Sequence, residues 1–213
     1  MKKDRISNAV IRRLPRYFRH LNDLLDAGIV RVSSSALGNS LGVTASQIRQ
    51  DLSCFGEFGQ QGYGYNVETL RNEIASILGI TNEHTAIILG AGNLGRALME
   101  NFHFERSGFA LVAAFDTNPA IVGTSIGSIP VYHADTLEEY LSQHKTDVAV
   151  LTVPQKVTHS TATRLVNAGV RGIWNFTNIE LNIRNSDVIV ENVHFADSLL
   201  ALSYMISDHK SES

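Results

Sequence analysis

Apolar side chains in the first 80 residues recur at the spacing of amphipathic helices. Residues 7–27 carry one at every third or fourth position, which predicts a helix. Pro15 lies inside this run, so the helix either begins near Pro15 or is kinked there. A serine cap followed by a short pattern predicts a second helix that ends near Leu41. A further apolar stripe predicts a helix over residues 67–78 that connects two domains.

A third short helix carries the most informative local signal. Thr44 and Gln47 form a capping-box pattern, in which each side chain would take the other's backbone amide. The helix is predicted over residues 45–55, apolar on one side and polar on the other. Two short helices whose second member exposes hydroxyls, amides and an arginine are typical of a helix-turn-helix DNA reader, although a small helical domain with a solvated polar face has the same composition. The polar side comprises Ser46, Gln47, Arg49, Gln50 and Ser53.

Glycines and aromatic residues alternate after this helix. Residues 58–67 are predicted to form a β-hairpin, a wing that would follow the DNA backbone beside the groove. Gln60 and Gln61 occupy its tip, where they could hydrogen-bond phosphates but bring no charge.

The second half begins with a buried-strand pattern at residues 86–89. It leads directly into Gly90-Ala91-Gly92-Asn93-Leu94-Gly95 and then a helical stretch, which is the G-x-G-x-x-G turn in the context that dinucleotide binding requires. A second strand over residues 111–115 ends in Asp116, placed to accept hydrogen bonds from the adenosine ribose hydroxyls. A carboxylate there would repel a 2′-phosphate, which favours NAD(H) over NADP(H).

Further alternation of strands and helices predicts a parallel sheet, with strands at residues 147–153 and 170–176 around a helix at 157–168. Ligands lie beyond the carboxyl ends of such strands. Residues expected to line the pocket, unless they are plain loop or core, are Thr152, Val153, Pro154, Asn175 and Phe176. A final helix over residues 196–206 is apolar on more than one face, so we expect it to need a partner such as a second subunit.

Charge and composition narrow the function classes. The formal charge is −3, but residues 1–65 carry nine Lys/Arg against five Asp/Glu, which leaves −7 for the remainder and suggests two separate tasks. The single Cys54 fits a reducing compartment, and neither a secretion signal nor an 18-residue apolar run occurs, so we expect a cytoplasmic protein that does not enter the membrane. We find no catalytic set and no metal-ligand spacing, and therefore expect a sensor without enzymatic activity.

Several motifs together resemble the Rex redox-sensing repressors over about residues 6–207. The matching segments are Arg13-Leu14-Pro15, Gln47-Ile48-Arg49, Asp51-Leu52-Ser53, Gly62-Tyr63-Gly64-Tyr65-Asn66-Val67, the stretch from Gly90 to Leu98, Ala114-Phe115-Asp116, Leu151-Thr152-Val153-Pro154 and Asn175-Phe176.

The resemblance implies an α/β homodimer with an N-terminal winged helix-turn-helix domain, a C-terminal Rossmann-like domain and a swapped C-terminal helix. The expected boundaries are residues 1–80, 81–193 and 194–213. It also implies that the dimer binds a double-stranded inverted-repeat operator when NAD⁺ prevails, that NADH releases it and that NAD⁺ competes. Phe195 is the candidate for an apolar lining near the partner's nicotinamide pocket. The residues expected to contact DNA are Arg13, Arg16, Thr44, Ser46, Gln47, Arg49, Gln50, Ser53, Gln60, Gln61 and Tyr63.

The sequence departs from the family pattern in three places: Gln50, the pair Gln60-Gln61, and His194. Gln50 stands where lysine is usual, which predicts a shift of the operator toward A·T at the base pair that Gln50 contacts, and Gln60 and Gln61 stand where the wing is usually basic. His194 replaces an aspartate that joins an inter-subunit network with Arg19 and Arg49. Asp197 or Glu191 could substitute for that aspartate, or His194 could make the switch depend on pH.

Two other functions remain open on the sequence. A small NAD-dependent oxidoreductase with an accessory helical domain is disfavoured because no catalytic set is found. A CoA-binding module of a ligase-like enzyme is disfavoured by Asp116, which suits a free ribose diol that 3′-phosphorylated CoA lacks.

Overall fold

The computed structural model describes residues 6–56, 58, 63–183 and 187–211. The chain divides into two compact units, Met1–Asn82 and Glu83–Ser213. Among the described residues, no helix is long and apolar enough to span a membrane.

The first unit is helical, with one small sheet. Ser7 caps the first helix by accepting a hydrogen bond from the Val10 amide, so the helix begins well before Pro15 and continues through it. Its elements are α1 (Asn8–Asp26), β1 (Arg31–Val32), α2 (Ser34–Leu41), α3 (Ala45–Ser53), β2 (Tyr65–Asn66) and α4 (Val67–Leu78).

One hydrophobic core joins these helices. Leu14 and Leu21 of α1 pack in it with Ile48 and Leu52 of α3 and with Ile74 of α4. The helix predicted over residues 67–78 is present as α4, and it buries one face in the core of the first unit.

The predicted wing is only partly described. Strand β2 pairs antiparallel with β1, with Val32 opposite Tyr65, so the described partner of β2 lies before α2. Gln60 and Gln61 lie outside the described residues.

The second unit contains a seven-stranded sheet in the order β5-β6-β4-β3-β7-β8-β9. All neighbouring strands are parallel except β5, which pairs antiparallel with β6. The elements are β3 (His84–Leu89), α5 (Asn93–Asn101), β4 (Phe109–Asp116), β5 (Ser125–Ile126), β6 (Ile129–His133), α6 (Leu137–Gln143), β7 (Val148–Leu151), α7 (Gln155–Asn167), β8 (Gly172–Asn175), β9 (Ile189–Asn192) and α8 (Phe195–Ser211).

Side chains of the central strands alternate between two cores because successive residues of a strand face opposite sides. Ile87 and Leu89 pack on the side that contains Leu165 of α7, whereas Ile88 packs on the other side with Phe104. The chain reverses its direction of winding between β3 and β7, which are adjacent in the sheet. A ligand site is expected at the carboxyl ends of these two strands.

Candidate functional site

The glycine-rich turn after β3 is shaped by close backbone contacts. Gly90 has φ +97°, and a Cβ there would lie 2.7 Å from the Thr152 carbonyl oxygen. A Cβ on Gly95 would lie 1.9 Å from the Gly90 carbonyl oxygen, so only glycine lets α5 pack this closely on the turn. The Thr152 hydroxyl secures the same turn by donating to the Gly90 carbonyl at 2.6 Å.

Gly92 is different, because a Cβ there would point into open space with no heavy atom within 4 Å. It precedes the first turn of α5, which no side chain caps. The backbone amides of such a turn are suited to a phosphate group, and the open space at Gly92 lets that group approach.

Asp116 at the end of β4 is tied to this turn. Its Oδ2 accepts a hydrogen bond from the Ala91 amide at 2.6 Å, and its Oδ1 accepts one from the Asn118 amide at 2.8 Å. Each carboxylate oxygen can accept more than one hydrogen bond, so Asp116 retains capacity for a ribose diol.

A cavity of about 630 Å³ opens where these groups meet. Six of the sequence-predicted residues line it, namely Gly90, Gly92, Asp116, Thr152, Val153 and Pro154. Ala91 belongs to the glycine-rich turn, and its side chain is buried. Asn93, Leu94 and Gly95 form the first helical turn of α5. The cavity therefore lies at the switch point between β3 and β7.

Further polar residues that line the cavity were not predicted from the sequence. Asp135 follows β6, and Ser160, Thr161 and Arg164 come from α7. The three α7 residues lie on one face of the helix. A helical-wheel projection of the sequence after Pro154 would have shown this. Arg164 donates to Glu138 Oε2 at 2.6 Å, and this hydrogen bond raises the pKa of Arg164 and lowers that of Glu138.

Asn175 and Phe176 do not line this cavity in the single chain, so their contact with a ligand stays a prediction. Asn175 is 1% exposed, and its amide donates to the Ile179 carbonyl and to Asn192 Oδ1. Phe176 is buried in the core that contains Ile88. Asn175 is the last residue of β8 and Phe176 follows it, and both side chains are buried in the single chain.

The last helix carries apolar side chains that remain exposed in the single chain. Phe195 is 56% exposed, and its ring lies 6.0 Å from that of Phe176. Just before it, His194 Nε2 lies 2.8 Å from Glu180 Oε2. Further large apolar residues exposed on α8 are Leu199, Leu200, Leu202, Tyr204, Met205 and Ile206.

Helix α3 of the first unit exposes the predicted polar face. Ser46, Arg49, Gln50 and Ser53 are exposed, and Arg49 donates to the Ser34 hydroxyl at 2.9 Å, which ties α3 to α2. Thr44 caps α3 by accepting from the Gln47 amide at 3.1 Å.

The second half of the predicted capping box is wrong, because the Gln47 side chain does not return to Thr44. Its Nε2 donates to Asp51 Oδ1 at 2.7 Å, since that buried carboxylate is a stronger acceptor one turn away. Arg13 donates to the same carboxylate through Nε and Nη2. Arg13 is predicted to contact DNA, but in the structure two of its nitrogens bind Asp51 and so hold α3.

Arg16 and Tyr63, predicted to contact DNA, and Arg19, predicted as a switch residue, lie on the surface of the first unit. Arg16 is exposed and donates to the Leu41 carbonyl at 2.9 Å, and Arg19 is exposed on the same helix. Tyr63 is exposed beside Arg31, whose guanidinium lies 6.0 Å from its ring centre.

Comparison with known proteins extends these observations. Residues 81–179 match a family model described as "CoA binding domain", and residues 5–53 match one described as "Putative DNA-binding protein N-terminus". The chain is 49% identical over 209 residues to the redox-sensing transcriptional repressor Rex of Thermoanaerobacter pseudethanolicus, covering 98% of this chain and 93% of that protein. The chain belongs to the Rex family. The Rex of Clostridioides difficile is 48% identical over 205 residues, covering 96% of this chain and 97% of that protein.

Solved structures of a Rex-family repressor named RSP have the same fold. RSP in complex with β-NAD⁺ and operator DNA is 48% identical with a TM-score of 0.90, covering 97% of this chain and 94% of that chain. RSP in complex with β-NADH is 46% identical with a TM-score of 0.89, covering 96% of each chain. The expected architecture, an N-terminal DNA-binding domain followed by a Rossmann-like domain, is confirmed.

Proposed function

We propose that this Rex-family chain is a DNA-binding transcriptional repressor that senses the cellular ratio of NADH to NAD⁺. One observation carries the proposal: the dinucleotide-type cavity at Gly92 and Asp116 lies in the same chain as an exposed helix-turn-helix face. The RSP complexes with β-NAD⁺ and operator DNA and with β-NADH support the same assignment.

The residues at the cavity suit NAD(H). The open position at Gly92 and the uncapped first turn of α5 would receive the pyrophosphate, and Asp116 would accept hydrogen bonds from the ribose diol. NADH is the de-repressing ligand and NAD⁺ its competitor. Because the two share the adenosine and pyrophosphate contacts, the nicotinamide end must discriminate between them, and an apolar side chain such as Phe195 favours the uncharged ring.

The protein acts as a homodimer on a double-stranded inverted-repeat operator. The exposed apolar residues of α8 favour burial against a second copy. Two copies also present two α3 helices, and these must lie about 34–36 Å apart to enter successive major grooves. The proposed division is residues 1–80 for DNA, 81–193 for NAD(H) and 194–213 for dimerisation.

The coupling between the two functions is a shift of population. A dinucleotide that binds the arrangement unable to match DNA lowers operator affinity by the ratio of its affinities for the two arrangements. Arg19, Arg49 and His194 are the proposed switch residues. In the single chain His194 contacts Glu180, so any role of His194 in the switch involves Glu180 as well.

The chain is proposed to act in the cytoplasm and not as an enzyme. Its close relatives are named repressors, which disfavours the oxidoreductase alternative. The CoA-binding alternative is disfavoured by Asp116, although one matching family model carries that description.

An anisotropy titration tests the proposal. The full-length protein is titrated onto an inverted-repeat duplex with TTGT and ACAA half-sites, with NADH or NAD⁺ added. Release by NADH at concentrations where NAD⁺ has no effect is the expected result. Binding that neither dinucleotide changes would exclude redox sensing, and steady turnover of NADH with an added carbonyl substrate would favour the oxidoreductase.

A further inference from the structure

A fully buried carboxylate, Asp51, lies in the last turn of α3, the helix proposed to contact bases. Asp51 accepts hydrogen bonds from Arg13 Nε at 2.6 Å and Nη2 at 2.7 Å, and from the Tyr17 hydroxyl at 2.6 Å. Arg13 and Tyr17 both belong to α1. The fourth hydrogen bond comes from Gln47 Nε2 at 2.7 Å, one turn earlier on α3 itself. The carboxylate thus joins two helices and also holds a side chain of the reading helix.

The charge of Asp51 determines how the Gln47 amide is turned. Burial disfavours the ionised form, but the hydrogen bonds from Arg13, Tyr17 and Gln47 outweigh it and lower the pKa of Asp51. An ionised carboxylate has no proton to donate, so both its oxygens are acceptors. Gln47 can meet Asp51 only with its amide nitrogen.

The amide oxygen of Gln47 is the end that remains available. Among the described residues, no buried side-chain nitrogen or oxygen lacks a hydrogen-bond partner, and the contact of Gln47 with Asp51 uses only Nε2. The oxygen therefore stays open to solvent. Gln47 also lines a cavity of about 550 Å³ together with Gln50 and Ser53, two residues proposed to contact DNA.

We infer that Asp51 is a positioning residue that presents Gln47 to the operator as a hydrogen-bond acceptor. In the major groove, the donors are the exocyclic amino groups of adenine and cytosine, whereas guanine and thymine present acceptor oxygens. Gln47 held in this way selects adenine or cytosine at one position of each half-site. A glutamine free to rotate its amide could pair with either kind of base. The inference rests on the proposed function, because it requires an operator.

Selection of binding sites from randomised duplexes tests the inference with the full-length protein. The wild type should prefer adenine or cytosine at one position by about three- to tenfold, the range expected for one hydrogen bond. Gln47→Met should lose the preference at that position alone. Asp51→Asn should lose it too, because an asparagine can accept or donate and frees the Gln47 amide to turn.

Tyr17→Phe is the matched control, since it removes one donor to Asp51 and leaves the Gln47 contact intact. It should retain the base preference even where overall affinity falls. If Asp51 only stabilises the fold, Asp51→Asn will weaken binding to all sequences equally and keep the preference, which overturns the inference while the proposed function stands. A wild type that selects no sequence at all overturns both.

A second measurement applies even if Asp51→Asn fails to fold. In NMR spectra of the wild type, the side-chain amide protons of Gln47, assigned by their absence in Gln47→Met, should exchange slowly with solvent. Exchange at the rate of the exposed Gln50 amide would show that Asp51 does not hold Gln47, and would overturn the inference.

Discussion

Asp116 Oδ2 accepts a hydrogen bond from the backbone amide of Ala91 at 2.6 Å, which fixes the carboxylate at the end of β4 against the glycine-rich turn after β3. The contact joins the two sequence features that point to a dinucleotide, the turn and the acidic residue 21 positions after Gly95. It also orients the carboxylate before any ligand arrives, so that little freedom is lost on binding.

Substitution of Asp116 by alanine should weaken NADH binding by about 10- to 100-fold, as expected for the loss of hydrogen bonds to a charged group. It should also narrow the preference for NADH over NADPH, because the repulsion of a 2′-phosphate is removed. Isothermal titration calorimetry with both dinucleotides measures this. Asp135→Asn is the control, because Asp135 lines the same cavity; an equal loss in that variant would argue against a specific role for Asp116.

Two glycines of the same turn should respond in opposite ways to alanine. Gly92→Ala should leave stability within about 0.5–1 kcal/mol of the wild type, since its Cβ meets nothing, yet weaken NADH binding at least tenfold. Gly95→Ala should cost about 3 kcal/mol or more because its Cβ overlaps backbone. Trp174, the only tryptophan, reports unfolding of the second unit by fluorescence. Equal stability of the two variants would contradict the predicted packing.

The cluster formed by Asp51 with Arg13, Tyr17 and Gln47 should make the stability of the first unit fall at low pH. The pKa of Asp51 is lowered in the fold, so its stabilising contribution is present above the ordinary aspartate pKa of about 4 and is lost as the pH falls through the folded-state value. NMR resonances of α1 and α3, followed from pH 7 downward, should show this loss. Asp51→Asn should be less stable by about 3 kcal/mol at pH 7 and lose less on acidification.

The same cluster should also lose stability at high pH, where Tyr17 ionises. Burial, and then the hydrogen bond to Asp51, raises the pKa of Tyr17 to about 12. The stability that this shift contributes is complete below the ordinary tyrosine pKa and is lost as the pH rises through the folded-state value. Ultraviolet titration of the wild type against Tyr17→Phe isolates this phenol, and a difference spectrum complete by pH 10.5 would contradict the predicted contact.

Charges placed on α8 should separate the dimer. The double variant Leu200→Asp/Leu202→Asp should be a monomer by sedimentation and lose operator binding, because burying two carboxylates in an apolar contact is costly. Gln143→Glu on α6 adds charge at another exposed position and should remain dimeric. A dimer in the double variant would show that α8 is not the main contact.

Gln50 should set the base preference at a second position. Gln50→Lys should move the selected base pair from A·T toward G·C, because glutamine pairs with adenine N6 and N7 whereas lysine donates to guanine O6 and N7. A well-formed contact discriminates between the two base pairs by about 1–3 kcal/mol of binding free energy. Selection from randomised duplexes that returns the same base pair for both proteins would exclude a base contact by this residue.

The sequence by itself determined most of the helices, the central strands and the dinucleotide signature. Strand patterns, the glycine turn and Asp116 depend on neighbours close in the chain, so local periodicity and spacing were enough to predict β3, β4 and the turn that follows β3. The polar face of α3 was also predictable, because it follows from the position of each residue on one helix.

Only the tertiary structure decided which polar side chains face inward. Gln47 appeared to complete a capping box, but Asp51, buried against α1, takes its amide. Asn175 at the end of β8 donates to Asn192 at the end of the neighbouring β9, a contact that no local sequence pattern indicated. Hydrogen bonds between segments far apart in sequence depend on how the segments pack, and a buried polar group binds whichever partner packing brings to it.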